Sequence, residues 1–67
     1  MLTKKQFDIL SETERSGSVS QRTLAARTGM SLGAVNKTLA SLHESGLISG
    51  GRITEEGLAV LEPYRVE

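Results

Sequence analysis

The chain reads as a mainly α domain, a three-helix core plus a C-terminal helix, with one small β-hairpin. Three observations predict this class: four helix starts written with the same local signal, a glycine or proline stop after each helical stretch, and a Gly-Gly pair between two short β-prone runs. The 67 residues suffice for one domain, and a chain this short buries only about 60% of the surface its unfolded form exposes. Its apolar residues are almost wholly Leu, Ile, Val and Ala, with Phe7 and Tyr64 the only aromatics. That supply fills a helical core and leaves no spare volume for a ligand cavity.

The first helix is expected over residues 4–15. Thr3 can cap it by accepting a bond from an orphan backbone N–H, Gln6 completes a capping box, and Leu2 with Phe7 has the spacing of a hydrophobic staple. Gly17 follows as the stop. The second helix, 21–27, repeats the signal with Ser20 as cap and Val19 with Leu24 as staple, and Gly29 ends it. The third, 32–45, has Ser31 as cap and Met30 with Val35 as staple. Gly46 supplies its left-handed terminal residue, with Leu47 set to touch Leu42 as the Schellman arrangement requires. The fourth, 55–62, has Thr54 as cap, Ile53 with Leu58 as staple, and Pro63 as its stop.

Between the third and fourth helices lies LISGGRI, residues 47–53. Paired glycines tolerate the positive φ that a two-residue hairpin turn demands, so a very small hairpin is expected here. A lone hairpin is marginal in water, and a third strand from Ser18 and Val19 is expected to join it. The order helix, strand, helix, helix, hairpin, helix is that of a winged helix.

Within SQRTLAARTGMSLGAVNKTLASL, the small and apolar residues have a steric logic. Two helices joined by a three- or four-residue turn cross closely, so the crossing needs a small residue and the turn a residue free to take positive φ; Ala25 and Gly29 fall at those places. The segment Gln21 to Ala40 resembles the helix-turn-helix signature. With the Gly-Gly hairpin and the following T-E-E-G-L, the whole chain resembles the winged helices of MarR-like bacterial regulators. The runs SQRTLAARTGMSLGAVNKTL and ITEEGLAVLEPYRV also resemble the N-terminal winged helix that precedes the catalytic domain of bacterial sugar-phosphate or phosphocholine nucleotidyltransferases. In those proteins the segment matching LEPYRV runs into the first catalytic strand and a glycine-rich nucleotide loop. Neither occurs in these residues, so the resemblance implies a regulatory module or fragment: a domain over 1–62, then a tail or linker start over 63–67.

Several functions are disfavoured by composition. With no cysteine and a single histidine, His43, neither a thiolate nor a histidine metal cluster can be built. No paired carboxylates, nucleophile with base, or phosphate loop can be assembled, so no catalytic residue, metal or cofactor is expected and the chain is not read as an enzyme. It has no signal-peptide pattern and no run near the ~20 apolar residues that span a bilayer. The expectation is a soluble cytoplasmic protein without a membrane partner.

Formal net charge is zero, but its distribution is uneven. Residues 20–46 hold Arg22, Arg27 and Lys37 against Glu44, which is 3 − 1 = +2; residues 47–67 hold Arg52 and Arg65 against four glutamates, which is 2 − 4 = −2. Such asymmetry orients a domain on a charged partner.

In the third helix Leu32, Val35, Leu39 and Leu42 recur at helical spacing and predict the buried face. At about 100° per residue the opposite face carries Gly33, Ala34, Lys37, Ala40, Ser41 and Glu44, flanked by Asn36 and Thr38. If the N-terminal half of this helix enters a major groove, the reachable groups are Ser31, Gly33, Ala34, Asn36, Lys37 and Ser41. Asn36 suits an adenine edge, and Lys37 a guanine or a phosphate; the plainer alternatives are a solvated flank and an ordinary surface lysine. Gln21 and Arg22, at a helix start, suit a backbone phosphate. Arg52 is a minor-groove or backbone probe beside the wing tip, or else a hairpin residue paired with a following carboxylate.

Arg22, Arg27, Lys37 and Arg52 make at most about four phosphate contacts, which predicts a salt slope of roughly −3 to −4 for one copy. The expected partner is double-stranded DNA, in transcriptional regulation. A homodimer would double the contacts, although the long terminal helices used by MarR-like dimers are missing from these residues. The alternative is a protein-interaction module that docks on an attached catalytic domain without binding DNA, motivated by the zero net charge and the sparse reading face.

Overall fold

The computed structural model describes residues 2–17 and 20–64. Its elements are α1 (Lys4–Ser16), α2 (Gln21–Thr28), α3 (Leu32–Glu44), β1 (Ile48–Ser49), β2 (Arg52–Ile53), α4 (Glu55–Leu61) and a closing 3₁₀ turn, Glu62–Tyr64. This is the expected winged helix-turn-helix class. Among the described residues no helix is long and apolar enough to cross a membrane.

Local chemistry sets each helix start. Thr3, Ser20, Ser31 and Thr54 accept bonds from the backbone N–H of Gln6, Thr23, Ala34 and Gly57, so every expected cap is made. The first is a full capping box, because the Thr3 N–H also donates to Gln6 Oε1 at 3.0 Å. At the end of α3, Gly46 takes φ 76°. The Gly46 N–H then donates to the His43 carbonyl at 3.1 Å, and the Leu47 N–H to that of Leu42 at 2.9 Å, which is the Schellman pair. The last helix stops one residue earlier than expected and tightens into the 3₁₀ turn around Pro63, whose ring and missing N–H cannot extend an α-helix.

The wing is a two-stranded antiparallel hairpin with Ile48 opposite Ile53 and Ser49 opposite Arg52. Gly50 and Gly51 take φ 60° and 79°, the two positive values that match the twist of a two-residue turn to its strands. The third strand expected from Ser18 and Val19, and the Val19 half of the α2 staple, lie outside the described residues.

The core is Ile9 and Leu10 of α1, Leu24 of α2, Val35 and Leu42 of α3, Ile48 of the wing and Leu61 of α4. Packed around it are Leu2, Phe7, Ala25, Met30, Leu39, Leu47, Ile53 and Val60. The first helix is the hub, since it contacts α2, α3, α4 and β2. Its one buried hydroxyl, on Thr13, donates to the Ile9 carbonyl at 2.8 Å, which removes the cost of an unpaired polar group in the core. The first and last described residues meet over this hub: the Leu2 N–H donates to the Tyr64 hydroxyl at 3.2 Å, and the Phe7 and Tyr64 rings lie 5.4 Å apart.

Two expected core positions are corrected. Leu32 is 47% exposed, and the inward arc of α3 is Val35, Thr38 and Leu42. Compared with the all-aliphatic arc, the buried side is rotated by roughly 40° at 100° per residue. The cause is α1, which packs along the Thr38 and Ser41 side of α3. Leu58 is likewise exposed, and Gly57 is buried in its stead. A Cβ on Gly57 would lie 2.6 Å from Ile53 Cγ1 and would collide with the Leu47 carbonyl oxygen. Ile53 therefore rests on the bare backbone of Gly57, one position before the expected staple partner.

Candidate nucleic-acid interface

The outer face of α3 is built from the residues that the core leaves over. Ser31, Leu32, Gly33, Asn36, Lys37, Ala40, His43 and Glu44 are exposed. At the N-terminal end the face is nearly smooth: nothing lies within 4 Å of where a Cβ on Gly33 would stand, so a duplex could approach the backbone closely there. The Ser31 oxygen accepts the cap bond from the Ala34 N–H at 3.1 Å, leaving its hydroxyl proton free to donate outward. Glu44 places a carboxylate at the far end of the same face, so a polyanion is admitted at the N-terminal half and repelled at the C-terminal end.

Not every residue expected to reach DNA is free to do so. Ala34 and Ser41 are half-buried against α1, and the Ser41 hydroxyl oxygen accepts a bond from Gln6 Nε2 at 3.1 Å. Arg27 turns back onto α1: its NH1 lies 3.5 Å from Glu12 Oε1 and donates to the Ser16 hydroxyl oxygen. Glu12 Oε1 is buried without a hydrogen-bond partner, so the arginine is the main charge compensating it. Arg15 approaches the other oxygen of Glu12 at 3.9 Å, and Lys4 pairs with Asp8 at 3.1 Å.

The remaining described cations are unpaired. Arg22 stands exposed beside Gln21 on the first turn of α2, Lys37 on the outer face of α3, and Arg52 on the first residue of β2 after the wing turn. Among the described residues Arg52 pairs with no following carboxylate. A fourth unpaired cation, Lys5 on the first turn of α1, lines a shallow groove together with Lys37. Lys5 was missed in the sequence because its nearness to Lys37 arises only when α1 folds across α3; no local spacing encodes it.

Thus α2, α3 and the wing present a small-residue surface framed by unneutralised cations, with Lys5 of α1 beside it, while Lys4, Arg15 and Arg27 are neutralised by Asp8 and Glu12 of α1. The arrangement suits non-covalent recognition of a polyanion at a helix face. Residues 2–57 of the chain match the model of a family described as the MarR family, a span running from the start of α1 through the wing into α4. No curated protein and no solved structure matches the chain.

Proposed function

This chain belongs to the MarR family, and on that premise we propose that it binds double-stranded DNA as a regulatory module, with α3 in the major groove and the β1–β2 wing beside it. The observation that carries the proposal is the division of the cations. Arg22, Lys37 and Arg52, which frame the outer face of α3, form no ion pair among the described residues, whereas Arg27 is held by Glu12. Gln21 and Arg22 hold a phosphate at the start of α2, and Asn36 reads an adenine edge while Lys37 reaches a guanine or phosphate. The Ser31 hydroxyl donates to the backbone, Gly33 admits close approach, and Arg52 probes the groove flank beside the wing. Ser41 serves the helix contact.

Three phosphate contacts from Arg22, Lys37 and Arg52 predict a salt slope near roughly −3 per copy. An anisotropy titration of a labelled duplex over a series of salt concentrations tests this. Log-linear weakening with salt is expected, with NMR shifts confined to α2, α3 and the wing. Salt-independent or absent binding overturns the reading. The competing reading, a module that docks on an attached nucleotidyltransferase domain, draws on the zero net charge and predicts that duplex DNA leaves the spectrum unchanged. A homodimer that doubles the contacts would double the slope.

A further inference from the structure

We infer that Lys5 and Lys37, across the groove between α1 and α3, form a two-lysine clamp on one strand of the DNA duplex, each lysine holding one of two neighbouring backbone phosphates. The inference rests on the DNA reading above and extends its footprint to α1, an element outside the helix-turn-helix and the wing.

Three observations carry it. First, both lysines line one groove, and none of its lining residues is acidic. Two ammonium groups sharing a groove without a carboxylate repel each other and leave a local positive potential that an anion relieves. Second, neither lysine has an ion-pair partner among the described residues, although Lys4, the neighbour of Lys5 in sequence, is held by Asp8 at 3.1 Å. Third, the two walls of the groove are tied to each other. Gln6 Oε1 accepts from the Thr3 N–H at 3.0 Å, and Gln6 Nε2 donates to the Ser41 hydroxyl oxygen at 3.1 Å, which fixes the start of α1 against the C-terminal half of α3.

The N–H groups of Thr3 and Gln6 are already consumed by the capping box, so the lysine side chains, rather than the helix terminus, supply the site. Lys37 lies on the edge of the outer face of α3 that adjoins this groove, while Arg22 and Arg52 serve other elements. A duplex seated on that face would run one strand's phosphates past the groove. Lys5 thereby takes the place in the charge count that Arg27 held in the sequence.

The test compares salt slopes of duplex binding for the 67-residue chain and four variants, with far-UV circular dichroism confirming the fold of each. Lys5→Ala is expected to reduce the magnitude of the slope by about 0.9 and to weaken low-salt binding several-fold. Lys5→Arg keeps the slope. Lys4→Ala, which removes the same net charge from the adjacent residue, leaves it unchanged, and Arg22→Ala reports independently on the main interface. If the parent binds and Arg22→Ala lowers the slope while Lys5→Ala behaves as Lys4→Ala does, the clamp is wrong and the DNA reading stands. If neither the parent nor any variant shows salt-dependent binding, both fall together.

Discussion

The junction of the wing with α4 and the outer face of α3 each contain a glycine inside a helix, and the two glycines meet opposite surroundings. Gly57 is buried under the wing, with Ile53 and the Leu47 carbonyl occupying the space a Cβ would need. Gly33 faces open space with no neighbour in reach. The first absence of a side chain is filled by the protein itself, the second by nothing in the protein. A helical glycine is costly relative to alanine, so the difference teaches where the molecule uses that cost for packing and where it leaves room for a partner.

The sharpest way to break the contrast is Gly57→Ala. The added methyl must push Ile53 and the Leu47 carbonyl aside, and overpacking of this kind costs about 1–3 kcal/mol or more. Urea denaturation should show a lowered midpoint, and an unchanged midpoint would mean that wing and helix are not locked together. Ser31→Ala removes the cap of α3 and is expected to cost about 1 kcal/mol, measured the same way. Arg27→Ala leaves a buried Glu12 oxygen without its main compensating charge, so it should lose up to about 1 kcal/mol of stability while leaving the slope of DNA binding unchanged; a reduced slope would return Arg27 to the interface. Gly33→Ala is the smallest effect and has the opposite sign. The helix should gain about 0.4–1 kcal/mol, while duplex affinity falls because the methyl group enters the space that close approach requires. Gain of stability without loss of affinity would show that the smooth patch is not a contact surface.

The same contrast explains which features were legible in the chain. The four caps, the Schellman turn and the two-glycine hairpin involve residues only a few positions apart, and each was found within one or two residues of its expected bounds. The spacing of apolar residues along α3 was a poorer guide: Leu32 is exposed and Thr38 is buried, because the aliphatic pattern does not say which side of the helix α1 will cross. Leu58 failed as a staple for a related reason. The unfilled backbone of Gly57 offers Ile53 a closer seat, and the signal for it is an isolated glycine within a helical run, in T-E-E-G-L.

The candidate site divides along the same line. Asn36, Lys37, Arg22 and Arg52 could be proposed from residue type and position in the helix-turn-helix, since that segment carries its own geometry. Whether a cation is available is another matter, because neutralisation depends on partners brought from distant parts of the chain. Arg27 and Arg52 look alike in sequence, yet Arg27 meets Glu12 and Ser16 of α1 while Arg52 meets no carboxylate among the described residues. Lys4 and Lys5 are adjacent, yet one pairs with Asp8 a turn away and the other shares a groove with Lys37. Hydrogen bonds at helix ends and turns act over one turn of backbone, so composition and order suffice to write them. Electrostatic availability and the choice of buried face act through space between elements, and they come into being only when α1 settles across α2 and α3.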